Sequence, residues 1–378
     1  MNGTSAPCAG LLLPGGGARG AYQVGVLNAI ADLNGSNRNP FPVIVGTSVG
    51  AINAAYISSQ ARSFSSGVKG LEKLWSSLHA SDVYRTDFAT IALCGLRWLL
   101  SLTFGGFGIA NPQSFLDNEP LANLLSRELQ FSQIQDAIDA GALRAVGVTA
   151  SSYTGASAVT FVQSVDEIME WQRSRREARK CRITLDHILA SLAIPFMFEA
   201  RQIGPEYFGD GSLRLTAPLS PAIHLGADRI LVIGSRDHVR DKSPSGSSVP
   251  TYPNLGALAG YMLDLIFMDN LDNDIERLRR VNDTLALLDP AKKNRSELRH
   301  IEIMTIDPSK DLRVIAGQHA HEVPWTIRML LRGIGSWDSE WRLPSYLLFE
   351  PPYINQLLEL GYADAMAEKQ KLSDLLGL

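Results

Sequence analysis

Three short stretches combine residue types that do chemistry together. Gly46-Thr47-Ser48-Val49-Gly50 is a Gly-x-Ser-x-Gly pattern, Gly15-Gly16-Gly17-Ala18-Arg19-Gly20 is a Gly-x-Gly-x-x-Gly pattern, and Asp210 lies between glycines in Phe208-Gly209-Asp210-Gly211-Ser212. A serine hydroxyl becomes a nucleophile when a base takes its proton and hydrogen-bond donors await the oxyanion. Gly46 and Gly50 are the small residues a sharp strand-to-helix elbow needs on either side of its serine. A helix starting just after Ser48 would direct its N-terminal dipole and free N–H groups at the developing negative charge. On pattern alone, a glycine-rich turn carrying an incidental serine is an equal alternative.

The glycine loop has a rival reading as a dinucleotide site, which requires an acidic residue about 20 positions on to hold a ribose hydroxyl. From Leu33 to Leu71 there is no Asp or Glu, and the next apolar run ends in the serine elbow. Successive glycines at a helix start can instead expose backbone N–H groups to an oxyanion, with no downstream acid. Candidate bases for Ser48 are His79, His187, His224, His238, His300, His319 and His321, together with the carboxylates. Asp210 stands out because its flanking glycines can present the carboxylate closely, although Asp-Gly is also an ordinary turn.

These groups must be carried by regular elements. Ala9 to Leu13 is a short apolar run ending at Pro14, and Tyr22, Val26, Ile30 and Leu33 then recur at helical spacing. Phe41 to Val45, the Gly46 to Gly50 turn and Ala51 to Ile57 repeat the strand, loop, helix order, which implies a parallel sheet. Further strands are expected at Ala145 to Thr149, Ala158 to Gln163, Ile230 to Gly234 and Ile301 to Ile306, with helices at Leu121 to Leu129 and Leu185 to Leu192. Strand signals are missing from the sixties to Pro112, so a helical cap is expected over one edge of the sheet. The stretch from Asp241 to Pro253 is a loop.

The chain has 378 residues, 45% hydrophobic and 20% charged, enough for a sizeable core in one large or two ordinary domains. Lys and Arg number 35 against 39 Asp and Glu, a net charge of −4, and the tryptophans do not alternate with basic residues. Nucleic acid is therefore not an expected partner. Cys8, Cys94 and Cys181 are too few for a disulfide framework or a four-ligand zinc site, which fits a reducing compartment. With no signal peptide and no uninterrupted apolar span, a cytoplasmic protein is expected, associated at most peripherally with membrane.

The order and spacing of Gly15 to Gly20, Gly46 to Gly50 and Asp210-Gly211 resemble the patatin-like phospholipases, serine acyl hydrolases that use a Ser-Asp dyad. Ala190-Ser191-Leu192-Ala193-Ile194-Pro195 looks like the small-residue segment before the family's aspartate, and Gly226 to Gly234 like its following strand. The resemblance implies an α/β fold, three-layer α/β/α with a mostly parallel central sheet, a helical cap insertion and a C-terminal helical extension. It implies Ser48 as nucleophile, Asp210 as its base, and the backbone amides of the Gly15, Gly16, Gly17, Ala18, Arg19, Gly20 loop as oxyanion hole, centred on Gly16 and Gly17. Arg19 falls at the family's basic position. Gly46 and Gly50 would form the nucleophile elbow, and neither a metal nor another cofactor is implied. Two departures bear on substrate range: Pro14 stands where plant members carry an acidic residue, and Ser212 replaces the usual Gly or Ala.

The expected organisation is a hydrolase domain over residues 1–306, with the cap at about 60–140, and a mostly helical extension over 307–378. The expected function is cleavage of fatty-acyl esters of phospholipids or lysophospholipids at a membrane surface. A Ser-His-Asp esterase or thioesterase using His224 or His238, and a catalytically silent lipid-binding module, are the competing readings. Among the remaining features, Arg173, Arg175, Arg176, Arg179, Lys180 and Arg182 could meet anionic headgroups, but such a run more often reads as a solvated helix face. Asp264, Asp269, Asp272, Asp274 and Glu276 also read as a solvated face. Ala89 to Ala110, with Trp98, Leu99, Leu100, Phe104 and Phe107, reads equally as an interfacial lid or as cap packing. His187 reads as a core histidine, and His319 and His321, two residues apart, do not pair for a metal.

Overall fold

Ala9–Leu13 (β1) has no polar side chain and is buried at all five positions, as expected of a parallel strand covered on both faces. A computed structural model of the chain describes residues 7–104, 114–235, 252–289, 298–337 and 341–378. β1 pairs in parallel with Val43–Thr47 (β2) on one side and Arg229–Ile233 (β9) on the other. β2 pairs in parallel with Ala145–Ser152 (β3), and Glu302–Ile306 (β10) continues the parallel sheet beyond β9. On the far side of β3 the sheet turns mixed. Ser157–Ser164 (β4) is antiparallel to β3, Arg176–Lys180 (β6) is parallel to β4, and Gln172–Arg173 (β5) is antiparallel to β6. Arg201–Ile203 (β7) and Glu206–Asp210 (β8) form a hairpin whose second strand pairs antiparallel with β3.

Alternation along the strands divides the core into two. Leu11, Leu13, Ile44, Val146 and Val148 face one core, covered by the helices Gly20–Asn34 (α1) and Val49–Ser59 (α2). Leu12, Val43, Val45 and Ala145 face the other, covered by Ser220–His224 and Asn270–Ala286. The result is a three-layer α/β/α fold with a mostly parallel central sheet. Helices Phe64–Ser76, Glu119–Glu128 and Ser132–Asp139 extend the first layer.

Two surface expectations are corrected. The basic run from Arg173 to Lys180 is not a helix face but the β5–β6 hairpin, because Thr184 starts the nearest helix only after it. The supposed solvated acidic face is partly buried: Asp264 lies among arginines, and Asp274 accepts the Leu219 N–H at 3.0 Å. The segment Ala89 to Ala110 is a helix, Phe88–Phe104, up to residue 104, with Phe88, Leu93, Leu96 and Leu100 exposed; its remainder, including Phe107, lies outside the described residues. Most of the Asp241 to Pro253 loop also lies outside them. No described helix is long and apolar enough to cross a membrane.

α1 is apolar nearly all round, with Val24 and Leu27 buried as fully as Tyr22, Val26 and Ile30, so it needs cover on its outer side as well. Helix Pro351–Ala367 supplies it through a glycine-lined crossing. A Cβ at Gly25 would come 2.0 Å from the Leu358 carbonyl oxygen, and one at Gly361 would come 2.2 Å from that of Tyr22. Backbone blocks both sites, so a methyl group forces the helices apart. Gly361→Ala is expected to lower stability by about 1–3 kcal/mol in urea denaturation. Gly95→Ala, in a helix where an added Cβ meets nothing within 4 Å, is expected to be neutral or to stabilise by up to about 1 kcal/mol.

Candidate active site

β3 acts as a ruler for the site. Along one edge it pairs first with β2, where Thr149 is opposite Thr47, and then with β8, where Ala150 is opposite Asp210. The residue that follows β2 is Ser48, so the ends of two strands distant in sequence meet beside consecutive residues of a third.

Ser48 has φ 53° and ψ −130°, a conformation that costs a non-glycine residue about 1–3 kcal/mol. Its surroundings hold it there. Ser191 Oγ accepts the Ser48 N–H at 2.8 Å and donates to the Thr149 carbonyl at 2.6 Å, while the Ala51 N–H donates to the Ser48 carbonyl at 2.8 Å. A Cβ at Gly46 would lie 2.2 Å from the Gly50 oxygen, and one at Gly50 would lie 1.9 Å from the Leu13 oxygen. Both elbow glycines are therefore required by backbone packing. Ser48 is also the N-cap of α2, at the positive end of that helix.

Asp210 ends β8 rather than sitting on an open loop, and only 1% of it is exposed. Its N–H donates to the Ala193 carbonyl at 2.8 Å and its Oδ1 accepts the Ser212 N–H at 2.9 Å. Gly211 must be glycine, because a Cβ would lie 2.1 Å from the Thr149 carbonyl oxygen. The other carboxylate oxygen, Oδ2, is buried without a hydrogen-bond partner among the described residues. Burial pushes the Asp210 pKa from its ordinary 3.8 up to about 6, against the opposing pull of the Ser48 hydroxyl and of Ser212. Ser48 is thus close enough to act on the carboxyl, although the two have not closed a hydrogen bond of good geometry.

The glycine loop runs beside this pair. Gly17, at φ 55°, lines the same cavity as Ser48, and a Cβ there would lie 2.4 Å from the Tyr346 carbonyl oxygen. A buried polar chain fixes the loop from behind: Trp75 Nε1 donates to Asn53 Oδ1 at 2.9 Å, Asn53 Nδ2 to Gln23 Oε1 at 3.0 Å, and Gln23 Nε2 to the Pro14 carbonyl at 2.8 Å. Ser235 Oγ adds a bond to the Gly15 carbonyl at 2.8 Å. Ala18, Arg19 and Gly20 start the helix that follows, and all three are buried. The Arg19 side chain is turned into the fold. It donates to Ser345 Oγ at 2.6 and 3.1 Å and to Tyr346 Oη at 3.1 Å, and lies 3.9 Å from the centre of the Tyr346 ring. Asp264, 3.7 Å from Arg19, also pairs with Arg342 at 2.8 Å and accepts the Tyr346 hydroxyl at 2.6 Å.

The cavity beside Ser48 is lined almost wholly by apolar side chains, among them Leu74, Trp75, Leu121, Leu125, Met197 and Phe349. No described histidine lines it. His224 Nδ1 lies 2.7 Å from the Ser220 carbonyl and its ring stacks on Trp171; His238 lies outside the described residues. His187 sits against Phe161 with its Nδ1 at the Thr184 cap, and burial lowers its pKa. His319 meets Glu322 and Gln356, whereas His321 is largely exposed. Among the described residues no three His, Cys, Asp or Glu side chains gather as a metal site.

The patatin-like phospholipase family profile matches residues 11–223 of this chain, a span that holds the glycine loop, the elbow and Asp210. The chain belongs to the patatin-like phospholipase family. A search of curated proteins returns no match. Among solved structures it is similar to VipD from Legionella pneumophila, at 13% identity and a TM-score of 0.41, with 97% of this chain and 67% of VipD covered. It is also similar to human GIVD cytosolic phospholipase A2 in complex with methyl gamma-linolenyl fluorophosphonate, at 13% identity and a TM-score of 0.43, with 98% of this chain and 58% of that one covered. This patatin-like chain thus spans under two thirds of the human protein's length.

Sequence reasoning missed the groups that hold this family site in shape. Ser191 lies in a segment singled out by resemblance but given no role, and Gln23 and Asn53 are uncharged polar residues flanked by apolar ones in the first turns of their helices, the one signal that could have found them. Tyr346 lies in a C-terminal stretch, Ser345 to Phe349, to which the sequence assigns no chemistry.

The burial of Asp210 has a thermodynamic consequence. Its folded pKa, about 6, lies above the ordinary 3.8, so ionisation penalises the folded state. The penalty is absent below pH 4, grows between pH 4 and 6, and is complete above. Asp210→Asn removes it, and denaturation at a series of pH values should show the variant gaining on wild type through that window by up to about 3 kcal/mol.

Proposed function

We propose that the protein is a serine acyl hydrolase that cleaves fatty-acyl esters of phospholipids or lysophospholipids. Membership in the patatin-like phospholipase family supports lipid hydrolysis as the general activity. The observation that carries the finer reading is the orphaned, buried Asp210 Oδ2 beside a serine strained into an elbow, with no histidine lining their cavity among the described residues.

In this reading Asp210, ionised above about pH 6, accepts the Ser48 proton as Oγ attacks the ester carbonyl. The N–H groups of the glycine loop, around Gly16 and Gly17, receive the oxyanion; as it collapses, the ester C–O bond breaks, Asp210 passes the proton taken from Ser48 to the departing alcohol oxygen of the lysolipid or glycerol moiety, and an acyl-enzyme remains with Asp210 again ionised. Water then attacks with Asp210 again as base, returning the proton to Ser48. The apolar walls accept the acyl chain, and Ser48, 1% exposed, must be uncovered for substrate to enter. Leu255, Leu258, Tyr261, Met262 and Leu265 form an exposed apolar face on the helix whose Leu263 lines the cavity, which supports entry from a lipid surface.

Fluorophosphonate labelling of wild type, lost in Ser48→Ala, together with hydrolysis reduced on the order of 10⁴-fold in Ser48→Ala and Asp210→Asn, would support the dyad. A folded wild type that neither labels nor hydrolyses phospholipid vesicles would overturn the reading in favour of a binding module. The kcat/KM of wild type is expected to fall below about pH 6, tenfold per pH unit, as Asp210 takes up its proton. Leu258→Glu with Met262→Glu should weaken hydrolysis of vesicles while leaving a soluble short-chain ester unaffected.

A further inference from the structure

Arg175 in the β5–β6 turn, Arg176 at the start of β6, Arg214 just beyond β8, and Arg277 on helix Asn270–Ala286 converge on a cavity of about 440 Å³, completed by Ser174, Leu213 and Thr216. This volume falls in the range of small-molecule sites. Among the described residues none of the four guanidinium groups takes part in an ion pair, although the chain as a whole carries a net charge of −4. Two arginines of the run noted in the sequence, Arg175 and Arg176, thus meet two from elsewhere in the chain. Three separate elements bring them to one concavity.

The cavity is distinct from the one at Ser48. Odd-numbered positions of β3 point away from the layer that holds Ser48, and Ser151, at one of them, donates to the Gly211 carbonyl and accepts the Arg214 N–H. The chain leaving Asp210 thus crosses to the second face, where Arg277 stands on the covering helix. Asp274 accepts the Leu219 N–H and feels both Arg277 and Arg176 without an ion pair to either among the described residues, so a surplus of positive charge remains. The same field reaches His224, where Arg176 adds to the effect of burial in disfavouring the protonated ring.

We propose that this four-arginine cavity is a second binding site, separate from the hydrolytic one, for a ligand bearing clustered phosphate groups. Guanidinium forks match phosphate oxygens in pairs, and four of them with two hydroxyls suit several phosphates held close together better than one isolated anion. The ligand is either a soluble polyphosphate or the phosphorylated headgroup of a lipid. The inference stands whether or not Ser48 is the nucleophile.

The test uses the full chain. Calorimetric titration with inositol hexakisphosphate reads the soluble source; flotation of the Ser48→Ala chain with phosphatidylcholine vesicles, plain or containing phosphatidylinositol 4-phosphate, reads the lipid source. Arg175→Gln with Arg277→Gln, both exposed in the free chain, should weaken binding by at least about tenfold. Arg38→Gln with Arg127→Gln, which removes the same charge elsewhere, should not. Calorimetric binding without flotation assigns the site to a soluble polyphosphate. Flotation that requires the phosphorylated lipid and is lost in the first double variant assigns it to a headgroup. Absence of both, or equal losses in the two double variants, overturns the proposal.

Discussion

β3 must serve two partners along one edge, and the candidate site depends on that constraint. Its first five residues pair with β2 and its last three with β8, so the ends of the two partner strands are brought together with no loop to blur the spacing. The Ser191 hydroxyl then ties the junction, linking the Ser48 amide to the carbonyl of Thr149. A serine at φ 53° persists because these bonds, and two glycines packed against backbone, leave the chain no relaxed alternative.

The same junction stores a second tension. Asp210 is taken out of water with one oxygen bound by an amide and the other left without a partner among the described residues. Its raised pKa and the strain at Ser48 both weigh against folding, and both are concentrated on the groups suited to chemistry. The surrounding apolar layers offset them. α1 and α2 are buried along most of their length, and the Pro351–Ala367 helix closes the outer side of α1.

The C-terminal segment therefore does more than cover the core. Tyr346 lies against Gly17 through its carbonyl oxygen and under Arg19 through its ring, and its hydroxyl reaches Asp264. The glycine loop is consequently held between a polar chain from Gln23, Asn53 and Trp75 on one side and residues more than 300 positions downstream on the other. In the proposed reaction, backbone amides so fixed would have little to reorganise as the oxyanion forms.

By itself the sequence determined the local elements and where the reactive residue types fall along them. A run without polar residues, such as Leu11 to Leu13, can only be a buried strand or helix, and glycines two positions either side of Ser48 mark a turn too tight for any Cβ. Spacing and order were enough to place the chain in its family. What the tertiary structure decided are relations between surfaces. The arginines from 173 to 182 read as a solvated helix face, yet they form an edge hairpin whose turn meets Arg214 and Arg277 across a cavity. Asp264 read as solvent-facing, yet it is buried between Arg342 and Tyr346, and Ser191 and Gln23 acquired roles only through partners far along the chain. Periodicity records which face of an element avoids water. It does not record which distant element will cover that face, and that choice set both the geometry around Ser48 and the charge on the opposite side of the sheet.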